Sequence, residues 1–330
     1  MRKLFALLTI VLFAGFMMAQ SNTATVQQTG DNQNANVSQV GSVNKSTVTQ
    51  FTDNSGAQQS DVIQSGVQNE SWVTQNQTGG GSNTPANTAY IKQIGNNNFG
   101  YQFENAPGYN SGQTQSAEQY GSDNTLNQTI SQGYTTGQIS YQNGNHDIAT
   151  QNHNSAYQFS NIQTWGDYSE AHQTADGTKA NLHIAQYGGN YNYAKQNFSG
   201  NFAFVPGNTG DIIQNGAGNS AYQTLTGTEH NSMDLVQTGN NNYSDQVQTG
   251  DNNTSSTIQT GNTDQAISYQ YDGVVGNTAA ISQTGGNTNY GYINQTGDSN
   301  NASITSDGSN HYGSITQTGG MNEAVVTQHN

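Results

Sequence analysis

The chain has 330 residues, 31% hydrophobic and only 8% charged, with 39 glycines, three prolines, no cysteine and a formal net charge of -15. A globular chain of this length would be richer in Leu and Ile and would hold roughly a quarter of its residues as charges. The acidic balance repels nucleic acid and anionic lipid, and the missing cysteine excludes disulfides and thiolate metal sites.

Residues 1–19 read as a secretory signal: Arg2 and Lys3 form a basic start, residues 4–16 an apolar run, and Met17, Met18 and Ala19 a small-residue exit before Gln20. The run is too short for a transmembrane anchor, and no apolar stretch of span length follows. Cleavage would leave Lys45, Lys92, Lys179 and Lys195 against 21 acids.

From residue 20 to residue 330 one internal repeat fills the chain. It opens with Ala24, Val26, Gln28 and Gly30, repeats as Ala35, Val37, Gln39 and Gly41, and again as Ser46, Val48 and Gln50 with Asn44 six places before the glutamine. Gln64 follows after a small insertion at 53–57, and Ser71, Val73 and Gln75 close the first block. Residues 79–85, with three glycines and Pro85, read as a longer turn that cannot sit within a ladder. Asn87, Ala89, Ile91, Gln93 and Gly95 restart the pattern. Between about 104 and 230 it is irregular: Glu104 stands where a glutamine is due, Pro107 and Gly108 break the run, and Gln119, Gln128, Gln142, Gln151, Gln173, Gln186, Gln196, Gln214 and Gln223 come at uneven steps. Residues 198–206 read as an aromatic-rich loop.

Regularity returns with Gln237, Gln248, Gln259 and Gln270, spaced by eleven. Two residues after each stands a turn residue (Gly239, Gly250, Gly261, Asp272), and six before each an amide or acid (Asn231, Asn242, Asn253, Asp264). Gln283 and Gln295 continue the series, the latter with Gly297. Ser306 takes the glutamine place but keeps Asn300, Gln317 is followed by Gly319, and Gln328 is preceded by Asn322. This makes roughly 25 units without a composition shift that would mark a domain boundary. A 3.6-residue period is absent, so no helix is expected.

Fixed spacings of two place these residues on one side of an extended strand. Disorder competes on composition, but disordered chains lack a strict period, and this chain carries β-branched residues and tyrosines in phase. The expected fold is all-β: a parallel β-solenoid of stacked two-strand rungs, about 22 residues per rung, in twelve or thirteen rungs about 4.8 Å apart. Ala or Ser four before the glutamine and Val or Ile two before it would form a dry seam between the sheets. The glutamines and asparagines beside the seam would stack as amide ladders, each donating to the next rung and accepting from the previous one, because an amide satisfies itself along a column where carboxylates would stack like charges. Glycine at the corner permits a left-handed backbone, and the neighbouring Asp31, Asp251 and Asp298 suit the same role. With the repeat running almost from end to end and no distinct cap, the terminal rungs would offer unpaired backbone groups to a further molecule.

The units resemble the curlin repeat of bacterial curli, whose pattern runs S-x5-Q-x-G-x-x-N-x-A-x3-Q. Matching stretches are Gln28 and Gly30 with Asn34 and Ala35, Gln39 and Gly41 with Asn44 and Gln50, and Gln317 and Gly319 with Asn322, Ala324 and Gln328. The resemblance implies a secreted functional-amyloid subunit that passes an outer-membrane secretion pore largely unfolded, meets a nucleator subunit at the bacterial surface, and forms homopolymer fibres for adhesion and biofilm. The inward Gln, Asn and small or aliphatic residues would be its amyloid-forming positions. The alternatives are a minor nucleating subunit and a soluble β-solenoid binding carbohydrate or ice. The sequence points to no enzyme and no cofactor: the seven histidines are scattered, and His146 and His153 near Asp147 are the nearest approach to a metal cluster. Tyrosines such as Tyr187, Tyr191, Tyr193, Tyr269, Tyr271, Tyr290 and Tyr292 read as surface aromatics in rows from rung to rung, with sugar stacking as the functional alternative.

Overall fold

The computed structural model describes residues 21–53, 57–78, 86–107, 112–131, 136–177, 179–200, 207–227, 229–271 and 275–330. The expected signal, the turn at 79–85, Asp272 and residues 201–206 of the expected loop lie outside the described residues.

Alternation at a period of two makes each unit a strand, and the glycine corners turn the chain back at its end. Strands are numbered in chain order. The odd sheet holds β1 (Thr23–Thr29), β3 (Lys45–Thr52), β5 (Glu70–Thr78), β7 (Phe99–Pro107), β9 (Thr125–Ile130), β11 (Ile148–His153), β13 (Glu170–Asp176), β15 (Tyr193–Ser199), β17 (Ser220–Thr226), β19 (Tyr243–Thr249), β21 (Gln265–Tyr271), β23 (Tyr290–Thr296) and β25 (Tyr312–Thr318). The even sheet holds β2 (Gln33–Ser42), β4 (Gln58–Val67), β6 (Asn87–Asn96), β8 (Thr114–Ser122), β10 (Gly137–Asn143), β12 (Phe159–Trp165), β14 (Ala180–Tyr187), β16 (Asn208–Asn215), β18 (Ser232–Thr238), β20 (Thr254–Asn262), β22 (Thr278–Asn287), β24 (Asn301–Asp307) and β26 (Glu323–His329). Each strand pairs in parallel with the strand two before and two after it, so each odd–even pair forms one rung of a parallel β-solenoid. The step between rungs runs from 22 residues, between Gln248 and Gln270, to 29, between Gln75 and Glu104. Insertions at the corners absorb the difference, and among the described residues the register shifts only where β20 meets β22, between Gln259 and Gly261.

Four inward positions of each strand stack into lanes, numbered here −6, −4, −2 and 0 relative to the expected glutamine. For β3 they are Asn44, just before the strand, and Ser46, Val48 and Gln50 within it, all buried, while Lys45, Thr47, Thr49 and Phe51 face outward. The expected seam is present at both ends of the column: Val48 and Val73 pack with Val62 and Ile91 near one, and Ile293 and Ile315 with Ile281 and Ile304 near the other. Burying each such side chain stabilises the fold by about 1.5–3 kcal/mol.

Between the ends the seam differs from expectation. From β9 to β17 the odd sheet carries glutamine in lane −2 and Ile130, His153, Ala175, Phe198 and Leu225 in lane 0. Phe198, Leu225 and Ala175 pack sideways against Ala180, Leu182 and Met233 of the even sheet in a separate buried cluster. Phe198 is thus part of a strand and fully buried, not the start of a surface loop.

One corner is built from stacked glycine. A Cβ on Gly41 would lie 2.0 Å from the Gly66 carbonyl oxygen, one on Gly66 1.8 Å from that of Gly95, and one on Gly239 1.8 Å from that of Gly261. The expected left-handed backbone is found at Gly30, Gly41, Gly95, Gly239, Gly250, Gly297 and Gly319. Gly261 has no positive φ; what excludes a side chain there is the Gly286 carbonyl, 1.9 Å from a Cβ. The second left-handed residue of a corner is two past the glycine, at Asn32, Asn252 or Ser299, and not the adjacent Asp31, Asp251 or Asp298. The surface tyrosines stack from rung to rung, with ring centroids 4.7 Å apart for Trp165 and Tyr187, 5.1 Å for Tyr168 and Tyr191, and 5.0 Å for Tyr290 and Tyr312.

Candidate functional site

The inward glutamines form hydrogen-bonded ladders. In the odd sheet Gln28 Nε2 donates to Gln50 Oε1 (2.8 Å), Gln50 to Gln75 (2.8 Å), and Gln75 to the Glu104 carboxyl (2.7 Å). In the even sheet Gln39 donates to Gln64 (2.7 Å), Gln64 to Gln93 (2.8 Å) and Gln93 to Gln119 (2.9 Å). Beyond the midpoint Gln237 donates to Gln259 (2.9 Å) and Gln259 to Gln283 (3.0 Å), while Gln248 donates to Gln270 (2.9 Å), Gln270 to Gln295 (3.2 Å) and Gln295 to Gln317 (2.9 Å). Inside the ladders the other N–H closes on a backbone carbonyl of the facing sheet, as that of Gln50 does on Asn34 (3.1 Å) and that of Gln64 on Lys45 (3.0 Å). An amide that makes both bonds, such as Gln50 or Gln64, is satisfied on both N–H groups, and each bond adds about 0.5–1.5 kcal/mol net.

Two even-sheet rungs lack the amide. Thr164 stands between Gln142 and Gln186 in lane 0, and Ser306 between Gln283 and Gln328, where its hydroxyl donates to Gln328 Oε1 (3.2 Å).

The irregular middle of the sequence conceals an unbroken ladder in the neighbouring lane. Gln102 donates to Gln128 (2.7 Å), and the series continues through Gln151, Gln173, Gln196 and Gln223 to Gln246 (2.9 Å). Sequence spacing missed Gln102 and Gln246. The signal for them is the doublets Gln102-x-Glu104 and Gln246-x-Gln248, where one strand holds both lanes while the ladder steps across.

Asparagines in lane −6 form part of the expected side-chain ladder, with Asn69 Nδ2 donating to Asn44 Oδ1 (3.1 Å) and Asn98 Nδ2 to Asn69 Oδ1 (3.0 Å), and add bonds to the backbone. Asn300 Oδ1 accepts the backbone N–H of Asn322 (3.2 Å) as well as its Nδ2 (2.8 Å), and Asn300 Nδ2 donates to the Gly319 carbonyl (2.9 Å). Asn44, Asn98 and Asn124 likewise donate to the carbonyls of Gly66, Gly121 and Gly144. Lane −6 therefore clamps each corner to the rung after it. Between Gly30 and Ala35 the inward residue is Gln33, and Asn34 faces outward.

Three titratable groups are drawn into the column. Burial pushes the Glu104 carboxyl well above the usual carboxylate range, partly offset by the Gln75 donation. Asp147 is raised to about 7 by burial, against the opposing pull of the Ser169 N–H and the Thr164 hydroxyl. His153 is depressed to about 3 by burial, and neither ring nitrogen has a partner. His146 instead sits at a corner, stacked on Tyr168 with centroids 4.6 Å apart and 3.9 Å from Asp123, so the two histidines and Asp147 occupy three different environments. Among the described residues no group of three or more His, Asp or Glu is placed to hold a metal ion.

At the two ends of the column the lanes meet solvent. All of β1 is exposed, β2 and β26 are half-buried on their inner faces, and β1, β2, β25 and β26 each have a strand partner on one side only among the described residues. Residues 19–51, which take in the first two strands and most of the third, match the family model of the curlin associated repeat. The chain carries the curlin repeat over these residues. No curated protein matches it. The quoted curlin pattern runs from one strand through its corner into the next, as from Gln317 of β25 to Gln328 of β26, and the same two-strand arrangement is stacked in thirteen rungs. No helix of the described residues is long and apolar enough to cross a membrane.

Proposed function

We propose that this curlin-repeat chain is a structural subunit of an extracellular, curli-like amyloid fibre, in which copies join end to end for adhesion and biofilm matrix. The observation that carries the reading is the state of the ladder ends. Gln28 Oε1 receives no donor among the described residues, whereas Gln50 and Gln75 after it do, and Gln317 donates only to the Asn301 carbonyl (3.0 Å). One end therefore offers acceptors and the other donors, so a second copy stacked head to tail supplies what each lacks. Export with removal of residues 1–19, passage through an outer-membrane pore and priming by a nucleator subunit complete the reading by family likeness.

Chain lacking residues 1–19 should gain thioflavin fluorescence and cross-β diffraction near 4.8 Å after a lag that preformed seed abolishes. A persistently soluble, seed-insensitive monomer would overturn the reading. Gln317→Glu combined with Gln328→Glu should slow growth at least about tenfold at pH 7 and much less below about pH 4, where the carboxyls are neutral. Equal rates at both pH values would contradict inward stacking at the joint.

A further inference from the structure

Resting on that reading, we propose that the order of lanes in the odd sheet is a pairing code, by which an end of this chain accepts the end of a second copy and rejects the order found in its own interior. Both terminal rungs carry the same order, apolar in lane −2 and glutamine in lane 0: Val26 with Gln28 in β1, and Ile315 with Gln317 in β25. The interior block carries the reverse, as in Gln196 with Phe198 of β15.

The two orders are not interchangeable, because each lane has its own partner on the facing sheet. Lane-0 glutamines donate to the carbonyl five residues before the even-sheet glutamine position, as Gln75 does to Gln59 (3.2 Å) and Gln248 to Ser232 (3.0 Å). Lane −2 glutamines donate two residues further along, as Gln102 does to Tyr90 (2.9 Å) and Gln223 to Asp211 (3.0 Å).

Changing lanes has a visible cost. Gln102 Oε1, Glu104 Oε1 and Gln248 Oε1 are buried without a partner, and these are the acceptors facing an apolar side chain across a lane change. Within the chain the cost is limited by the doublets in β7 and β19, which engage both lanes at once. A joint between unlike ends has no doublet and would bury unpaired amides against aliphatic groups. The code thus favours a copy added end to end over one that stacks against an exposed interior rung.

The test exchanges lanes at the ends of the chain lacking residues 1–19. The β25 exchange is Ile315→Gln with Gln317→Ile, the β1 exchange is Val26→Gln with Gln28→Val, and the double exchange carries both. Elongation is followed by thioflavin on seeds of each protein. Either single exchange should extend its own seeds at least about tenfold more slowly than the unaltered chain does. The double exchange, whose ends match again, should return to within about threefold on its own seeds while remaining slow on unaltered seeds. Because it carries both internal disturbances, its recovery cannot come from better folding. Ile315→Gln alone copies the β19 doublet, and its seeds should extend with both unaltered and β1-exchanged monomer. Single exchanges that grow normally, a double exchange no faster than the singles, or doublet seeds that refuse β1-exchanged monomer would each overturn the code alone. Failure of the unaltered chain to extend its own seeds would instead overturn the fibre reading beneath it.

Discussion

Asp147 and Asp264 occupy lane −6, where Asn124 and Asn242 donate Nδ2 to the carbonyls of Gly144 and Gly261. An ionised carboxylate has no proton for that bond, and Asp264 Oδ2 is buried without a partner. Burial raises both acids, Asp147 to about 7. A folded-state pKa above the unfolded value means that the folded chain holds its proton longer, so stability is full below about pH 4 and falls as pH rises toward 7. Asp147→Asn with Asp264→Asn should therefore raise the unfolding midpoint in urea at pH 8 and leave it nearly unchanged at pH 4. An equal gain at both would show that titration is not the cause. Glu104→Gln acts in the same direction: removing a buried acid with an unpaired oxygen should stabilise the chain at pH 7 by about 1–3 kcal/mol, read from thermal or urea melts. Glu104 was visible in the sequence as a residue in a glutamine's place. The burial of His153 and Phe198 was not, because it depends on which lane the glutamines occupy, and an interval measured from glutamine to glutamine is blind to a sideways step of two.

The strand and its corner were legible because two constraints coincide in every unit: side-chain alternation along the strand, and a backbone approach at the corner that only glycine permits. The approach differs sharply between glycines. At Gly95, with φ of +126°, a Cβ would fall 1.8 Å from the Gly121 carbonyl oxygen, whereas at Gly320 the nearest atom is the Asp298 carbonyl oxygen at 3.2 Å. Gly95→Ala should thus cost about 2 kcal/mol or more, and Gly320→Ala well under 1 kcal/mol, in urea unfolding. Comparable losses would mean that the corner relaxes freely. Asp31, Asp251 and Asp298 were assigned the left-handed role on residue type alone. The corner places that conformation one residue later, because the residue beside the glycine continues the turn and the next one reverses the chain into the following strand.

For the whole molecule, the stacking of two-strand rungs followed from the period, and thirteen rungs lie within the expected range. The ragged middle came from two sources that sequence spacing could not separate, insertions at corners and the exchange of lanes between β7 and β19. These leave the ladders with a particular distribution of gaps. The even sheet lapses at Thr164 and again at Ser306, but at those rungs the odd sheet holds Gln151 to Gln173 (3.0 Å) and Gln295 to Gln317 (2.9 Å). In the odd sheet the doublets overlap, so a side-chain bridge spans every step from Gln28 to Gln317. The arrangement is that of bricks laid with staggered joints. Stretched along its length, the column should show no preferred plane of fracture: single-molecule pulling ought to yield a broad distribution of break points, and a sharp cluster of ruptures at the Thr164 course would disprove the bond between the courses.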